Sequence, residues 1–465
     1  MLNVEYRENN QRMRVVIVGA GLSGLTLAVF LRRLNVDCIV LEQAPFLQAQ
    51  YTPPFTLFAN ALSCFKAFDI DFCFSPGKVE PEEFFGIKDE KGRWLSRIRN
   101  RNVSLRVLGS QDAIPLTTAS PANSESIVSR RIAEDRKIEM GLVPLRKTLP
   151  AYFLRESLRR NIPEIKFNAR VVDLMPHEGI KGGVYVLMED GSSEWGDVVV
   201  GADGMCSTIR KLLYPNEHIG TCSQSLGMLQ IDGFVKMPHC PLGLEHPVVL
   251  WGHQRTLTVV PLHRYGDNCI AFTASLYNAS RELMQFTDNM TNEEVLATSQ
   301  LLMKREYSSF FGELEELLSR ANLAFPTEVL EVPVMPRWYN KRAVLMGEAA
   351  HGSLPCFLNQ DASLCVEDAA ILATALLDVP LSRDCGFEYA FQQYESVRRD
   401  RVERYIRQSR RARRFTTTHA LLRNTVLRLV PSYCINLSQK WLSGWSYSAQ
   451  QLEVDPKSAM ETAFR

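Results

Sequence analysis

The strongest constraint on this 465-residue chain is a glycine run close to its start. The five residues Arg14–Val18 (RVVIV) lead directly into Gly19-Ala20-Gly21-Leu22-Ser23-Gly24. A short β-branched run of this kind marks a strand buried on both faces. Apolar residues then recur at helical spacing over residues 22–34, and residues 36–42 (VDCIVLE) read as a second buried strand. Together they form a βαβ unit of about thirty residues.

Each part of the run has a physical reason. Gly19 permits the tight turn, Gly21 lets a pyrophosphate approach the main chain, and Gly24 lets helix and strand pack closely. Leu22 and Ser23 open the helix, where free N–H groups and partial positive charge favour a phosphate. Glu42 stands eighteen residues after Gly24, at the end of the second strand, and is placed to accept hydrogen bonds from a ribose. These features predict an adenine dinucleotide. They do not choose between FAD and NAD.

Farther along, strands are expected over residues 165–174, 183–189 and 197–200, and a helix over residues 149–158. Residues 109–129 are rich in Ser, Thr, Pro and Ala and read as loop. Four runs of strand character, at 228–235, 247–251, 256–260 and 268–274, are separated by Pro, Gly and His. They predict an antiparallel sheet in a second layer. A strand at 343–346 precedes a helix at 362–377, and the remainder is helical and basic.

Two later motifs narrow the reading. Gly201-Ala202-Asp203-Gly204 follows one expected strand and precedes Ser207 and Arg210. Gly347-Glu348-Ala349-Ala350-His351 follows another, with Pro355 soon after. In this order the three motifs resemble those of the flavoprotein aromatic hydroxylases, a family that includes p-hydroxybenzoate, salicylate and urate hydroxylases. That family carries GxGxxG, then GADGxxSxxR, then GDAAHxxxPxxGQGxxxxxED. The resemblance spans nearly the whole chain and is weakest over residues 70–142.

The resemblance implies FAD as cofactor and an α/β fold. A Rossmann-like FAD-binding domain (12–70, 143–215, 329–380) would be interrupted by a mainly antiparallel β-sheet substrate domain (71–142, with a loop or lid insertion, and 216–328). A helical C-terminal region (381–465) would follow. Asp203 would join the flavin and pyridine-nucleotide regions, beside Gly204; Glu348, after Gly347, would face the ribityl chain. Arg146, in RxxLxxxF ending at Phe153, would contact the cofactor, and Asn60 would lie under the flavin domain. Arg398, Arg401, Ser409-Arg410 and Leu422-Arg423-Asn424 match the C-terminal helices.

The third motif departs from the family pattern. Glu348 replaces its Asp, and the loop reads Pro355-Cys356-Phe357-Leu358-Asn359-Gln360-Asp361-Ala362. Asn359-Gln360-Asp361 then aligns with GQG, with one extra residue before it. Asn and Asp tolerate the left-handed region, so the loop shape is expected to persist, with Gln360, Asp361 and Ala362 beside the flavin. Asp361 is expected to cap the next helix and to take up potential that would otherwise favour an anionic reduced flavin.

The activity implied is that of an NAD(P)H-dependent FAD monooxygenase of secondary metabolism. It would hydroxylate or epoxidise an aromatic or other electron-rich small molecule with dioxygen, through a C4a-hydroperoxyflavin. With one GxGxxG only, NAD(P)H would dock transiently in a groove. The altered loop leaves a second reading: an FAD-binding protein with non-hydroxylating chemistry, such as an isomerase or cyclase, or an inactive homologue. No side chain stands out as catalytic. Trp251, His253 and His263 could line a substrate site or be structural, and His351 reads as a loop anchor.

Several classes are disfavoured. The net charge is +1, and the nine arginines between Arg398 and Arg414 alternate with Asp400 and Glu403. That run reads as a solvated, partly paired helix face and not as a nucleic-acid site. Neither the eight histidines nor the eleven cysteines show metal-ligand spacing, so no metal is expected. The scattered cysteines and the polar first fourteen residues point to reduced thiols, no secretory signal and a cytoplasmic setting. No apolar run reaches the length of a membrane span. Residues 420–445, which include Arg423, Arg428 and Lys440, read as a helix packed on the body, with membrane-surface association as the alternative.

Overall fold

The computed structural model describes residues 13–46, 55–68, 70, 84–99, 146–149, 164–177, 182–215, 223–237, 244, 246–261, 269–287, 289–312, 314–332, 335–352, 360–377, 379 and 384–430. Its first layer is a six-stranded sheet in the order β17-β18-β11-β1-β2-β7. These strands are β1 (Arg14–Val18), β2 (Asp37–Leu41), β7 (Ile165–Lys166), β11 (Val198–Gly201), β17 (Tyr339–Asn340) and β18 (Ala343–Leu345). All neighbours are parallel except β17 and β18. Burial on both faces explains why β1 and β11 are nearly unbroken valine and isoleucine. Helix α1 (Leu22–Arg33) follows β1 and packs against α7 (Asp361–Ala375), whose residues from Ala362 to Ala373 are buried throughout.

Residues 165–174, expected as one strand, are two. Asn168 takes φ 55° between β7 and β8 (Val171–Pro176), and its N–H donates to the Ala44 carbonyl at 3.1 Å. The short polar Asn side chain makes this left-handed turn affordable. β8 joins β9 (Val184–Met188) and β10 (Ser193–Gly196) in an antiparallel three-stranded sheet. Leu149, expected to open a helix, ends the strand β6 (Arg146–Leu149) instead. β6 pairs with β3 (Phe55–Phe58), and α2 (Ala59–Ala67) begins at once after β3. The rest of the segment expected as that helix lies outside the described residues.

The second layer is a seven-stranded sheet in the order β16-β12-β15-β14-β13-β4-β5. It comprises β4 (Phe84–Asp89), β5 (Trp94–Arg99), β12 (Gln224–Lys236), β13 (Val248–Trp251), β14 (Arg255–Pro261), β15 (Cys269–Leu276) and β16 (Leu323–Glu331). Only β13 and β4 run parallel among its pairs. One face is apolar and packs on α5 (Asn292–Glu306) and α6 (Leu314–Ser319); Ile231, Phe272 and Leu257 meet Met303, Leu317 and Leu318 there. The capping box of α5, Thr291 with Glu294, was present in the sequence as Thr-x-x-Glu. Short helices α3 (Thr208–Leu213) and α4 (Ser280–Leu283) follow β11 and β15.

Helix α8 (Asp384–Thr417) is 34 residues long and leads to α9 (Ala420–Leu429). Among the described residues no helix is long and apolar enough to cross a membrane.

Candidate functional site: three glycine motifs at the carboxyl ends of a parallel sheet

β1, β11 and β18 are adjacent and parallel, so the three motifs emerge from the same edge of the sheet. This is where ligands bind in open α/β folds. The motifs also touch one another. Gly19 has φ +105°, and a Cβ there would lie 2.5 Å from the Ala202 carbonyl oxygen. A Cβ on Gly347, at φ +58°, would collide with the Ser23 hydroxyl. The Ala202 N–H donates to the Val18 carbonyl at 2.9 Å and the Met346 N–H to the Gly201 carbonyl at 3.0 Å.

Above this seam the ground is open. A Cβ on Gly21 would meet nothing within 4 Å, and one on Gly204 would meet only the Glu348 carboxylate, at 3.9 Å. No side chain caps α1, so its first N–H groups remain available. Glu42 is rigidly held: Oε2 accepts from the Ala20 N–H at 2.8 Å and Oε1 from the Ala44 N–H at 2.9 Å. Its remaining lone pairs can still accept ribose hydroxyls. A cradle without Cβ atoms, an uncapped helix start and an anchored acid fit a flavin adenine dinucleotide.

Asp203 behaves first as a structural cap. Its carboxylate accepts from the Ser207 hydroxyl at 2.5 Å and from the Thr208 and Ile209 N–H groups at 2.7 and 3.1 Å. Ser207 in turn caps α3 by accepting from the Arg210 N–H at 2.9 Å. Arg210 is fully buried and donates to the Ala349 carbonyl at 2.8 Å and to the Met205 carbonyl, so it clamps the second motif to the third. His351 is a loop anchor: Nε2 lies 2.8 Å from Asp368 Oδ2 and Nδ1 2.8 Å from the Gly352 carbonyl.

The start of α7 corrects two expectations. Asp361 is not the N-cap; Gln360 is, without a side-chain capping bond, and Asp361 is the first helical residue with no left-handed backbone. An acid in the first turn is nonetheless favoured by the helix dipole. Asp361 Oδ1 accepts from the Tyr405 hydroxyl at 3.0 Å. Burial and the neighbouring Asp361 push Tyr405 well above the usual phenol range, so Tyr405 keeps its proton and donates it in the hydrogen bond to Asp361. Ala362 is buried one residue further; Pro355, Cys356 and Asn359 lie outside the described residues.

β3 and α2 fasten to this helix start through the Phe58 N–H to Ser363 Oγ (3.1 Å) and Asn60 Nδ2 to Gln360 Oε1 (3.1 Å). Arg146 sits directly opposite Phe58 on β6. Sequence analysis did not name Glu367 and Asp368, although the ED that ends the third family pattern falls on them once GQG is aligned with residues 359–361; both are fully buried in α7. Glu367 accepts from Asn60 (2.5 Å), from Arg401 (2.6 Å) and from Arg398; Asp368 pairs with Arg398 Nε (2.7 Å) and accepts the Gly347 N–H (3.0 Å). A second signal was an acidic pair inside an otherwise apolar helix, which must be matched internally. The arginine run is accordingly no simple solvated face: Arg398 is fully buried, while Arg407 and Arg410 stay near the surface with Glu403 and Glu331.

Of the side chains considered for the substrate site, Trp251 is covered by the C-terminal helices. Arg423 stacks 5.3 Å from its ring, Phe415 lies 6.2 Å away, and the Arg423 guanidinium donates to the Gly252 and Thr416 carbonyls at 2.9 and 2.7 Å. His253 is exposed, and His263 lies outside the described residues.

A residue that was overlooked lies on β12. Asp232 is 5% exposed, accepts from Thr273 (2.5 Å) and Gln230 (2.8 Å), and has no cation partner among the described residues. Burial pushes its carboxyl up to about 6 against those two hydrogen bonds. The folded state therefore holds more protons than the unfolded one between about pH 4 and 6, and stability falls as pH rises through that window. Asp232→Asn removes this slope. It is expected to raise stability by about 1–3 kcal/mol at pH 8 and by much less at pH 4, read from urea melts at the two values.

Comparison with known proteins places these features. Residues 17–51 match the model of the NAD(P)-binding Rossmann-like domain. The chain is 26% identical over 466 residues to the FAD-dependent monooxygenase cdmI of Talaromyces verruculosus, covering 94% of this chain and 86% of that protein. It is 25% identical over 412 residues to the 3-amino-4-hydroxybenzoate 2-monooxygenase PtmB3 of Streptomyces platensis, covering 86% and 88%. Among solved structures, Klebsiella pneumoniae HpxO complexed with FAD and uric acid superposes with a TM-score of 0.67 at 18% identity, covering 92% of this chain and 96% of that one. A salicylate hydroxylase substrate complex gives 0.67 at 17% identity, covering 96% and 98%.

Proposed function

We propose that this chain, an FAD-dependent monooxygenase of the aromatic-hydroxylase type by its relatives and its fold, takes electrons from NAD(P)H and oxygenates an aromatic or other electron-rich small molecule. One oxygen atom of dioxygen enters the substrate and the other leaves as water, with NAD(P)H oxidised to NAD(P)⁺. The observation that carries the reading is the convergence of three motifs on one sheet edge, with open ground above Gly21 and Gly204 beside the start of α7.

Gly19, Gly21, Leu22, Ser23 and Gly24 would hold the pyrophosphate at the start of α1, and Glu42 the adenosine ribose. Arg146, Asp203, Gly204, Gly347 and Glu348 would line the middle of the cofactor; Gln360, Asp361 and Ala362 would meet the ring end. Bound FAD supplies hydride acceptance and dioxygen activation. The protein orients the partners and excludes water, with Arg210 and the Glu367–Arg398 hub fixing the loops that do so.

The test is NAD(P)H consumption by purified, FAD-loaded protein across an aromatic panel, with product mass followed under isotope-labelled dioxygen. Label in the product supports the reading. Retained FAD with no NAD(P)H oxidation for any compound overturns it and favours an isomerase, cyclase or inactive homologue. The first-turn charge of Asp361 is the observation behind that second reading.

The same charge gives a graded expectation. Asp361→Asn keeps an acceptor for Tyr405 but removes a negative charge from the helix start. A helix terminus contributes roughly 0.3–2 kcal/mol, which for a two-electron couple corresponds to roughly 6–43 mV. The flavin midpoint potential is expected to rise by that amount, measured by dye-coupled reduction; an unchanged or lowered potential removes Asp361 from the flavin's surroundings.

A further inference from the structure

Helix α9 turns an apolar stripe outward. Its inner side holds Arg423 and Leu427, both buried, and rests on β5. Its seat is fixed: Arg423 donates to the Gly252 and Thr416 carbonyls, and Arg428 Nη2 lies 3.0 Å from Asp89 Oδ2. On the outer side Leu422, Thr425, Val426 and Leu429 follow at i, i+3, i+4 and i+7, with Leu421 one turn from Thr425. Leu421 and Leu429 are each 75% exposed, Leu422 61% and Val426 37%. Thr425 turns its hydroxyl back to the Leu421 carbonyl at 2.8 Å, so it adds no free polar group. Elsewhere among the described residues, exposed large apolar side chains come singly or as the pair Val172 and Met175. Scattered residues of that kind need no partner, whereas a contiguous patch marks a contact surface.

Size and charge limit what can cover the stripe. Its four apolar side chains expose on the order of 400 Å², about half of what each partner buries in a stable protein interface. A second copy of the chain therefore gains too little from this stripe. A bilayer surface sets no such threshold, because affinity grows with each apolar side chain inserted and each basic residue near anionic lipid. The ten residues of α9 span about 15 Å, half of a hydrocarbon core about 30 Å thick, so the helix can lie on a bilayer but not cross it. Basic side chains lead up to it. Arg407, Arg411 and Arg414 are exposed at i, i+4 and i+7 on α8, and among the described residues only Arg407 meets an acid, Glu403 at 3.5 Å. Lys440, Trp441 and Trp445 follow α9 in the sequence, residue types that favour the level of lipid headgroups.

We propose that α9 is a membrane-surface helix whose outer leucines enter the boundary between headgroups and acyl chains of an anionic bilayer. The arginines that precede it on α8 add attraction to the lipid charge. Packing on the body and lying on a membrane, opposed as readings of the sequence, use opposite sides of the same helix. Arg423 and Leu427 serve the first, and Leu421, Leu422, Val426 and Leu429 the second. The assignment does not depend on which reaction the chain catalyses.

The test is flotation of the full-length protein with vesicles, without substrate or pyridine nucleotide. One set is phosphatidylcholine with about 30% phosphatidylserine, the other phosphatidylcholine alone. Wild type is expected to bind the anionic set at least about tenfold more tightly, and to lose about tenfold as salt rises from about 0.05 to about 0.5 M. The triple variant Leu421→Ser, Leu422→Ser, Leu429→Ser is expected to lose at least about tenfold on the anionic set with an unchanged melting temperature, since these are surface positions. Should it melt early, Leu429→Ser alone serves in its place, with a loss of about threefold. Met284→Ser removes an apolar side chain 80% exposed at the end of α4 and is expected to bind as wild type does. Failure of wild type to float with anionic vesicles, equal binding to both sets, or an equal loss in Met284→Ser overturns the proposal. So does a wild-type dimer in analytical ultracentrifugation that the leucine variant converts to monomer, because a second copy then covers the stripe.

Discussion

Arg398→Met is expected to lower the unfolding free energy by about 3–5 kcal/mol at pH 7, one of the largest single-residue losses this fold can show. Arg398 is fully buried in α8 and neutralises two fully buried carboxylates of α7. Burial alone would push Asp368 upward, but Arg398 and His351 hold it below the ordinary carboxylate range. Methionine fills much of the arginine volume, so the loss reports charge and not a cavity. Arg401 still reaches Glu367 at 2.6 Å, which leaves Asp368 the more exposed of the two acids to the change.

The pH dependence identifies the cause. A depressed carboxyl contributes stability above its unfolded value near 3.8 and loses it on acidification, so wild type weakens as pH falls. In Arg398→Met the uncompensated acids gain protons at higher pH, so the deficit relative to wild type should shrink between pH 7 and 5. Adding Asp368→Asn should restore part of the loss. A deficit independent of pH in urea melts would mean that lost packing, not buried charge, accounts for it.

The hub also shows where sequence reading stops. The βαβ unit was legible because Gly19, Gly21 and Gly24 sit between a valine-rich strand and an apolar helix, and local pattern alone decides such a unit. The antiparallel layer was legible from its strand-like runs, although β16 and the helices that cover it were not read. Asn168 broke a strand because one left-handed residue outweighs a run of favourable propensities. What could not be read were partners 30 or more residues apart. Arg398 looked like its solvated neighbours Arg407 and Arg410, and only the packing of α8 on α7 separates them. Asp232 likewise gave no local sign, since its neighbours Thr273 and Phe325 come from other strands.

Gly24→Ala should abolish FAD retention and destabilise the fold, whereas Gly21→Ala should abolish retention alone. The two glycines lie three residues apart, but their surroundings are opposite. A Cβ on Gly24 would fall inside contact distance of the Gly19 carbonyl oxygen, with Ile17 Cγ2 at 3.2 Å behind it. The obstructing atom is main chain, so α1 must move off β1. Overpacking of this kind costs about 1–3 kcal/mol and carries the helix N–H groups away from the phosphate position. A Cβ on Gly21 meets no protein atom within 4 Å, and the backbone there has an ordinary φ of −71°. The folded chain can accept that methyl, and stability should stay within about 0.5 kcal/mol of wild type. The methyl would instead occupy the space through which a pyrophosphate reaches the main chain. Urea melts of the FAD-free proteins, paired with cofactor retention through gel filtration, separate the two effects. Normal FAD retention by Gly21→Ala would place the dinucleotide elsewhere and remove the cradle from the argument.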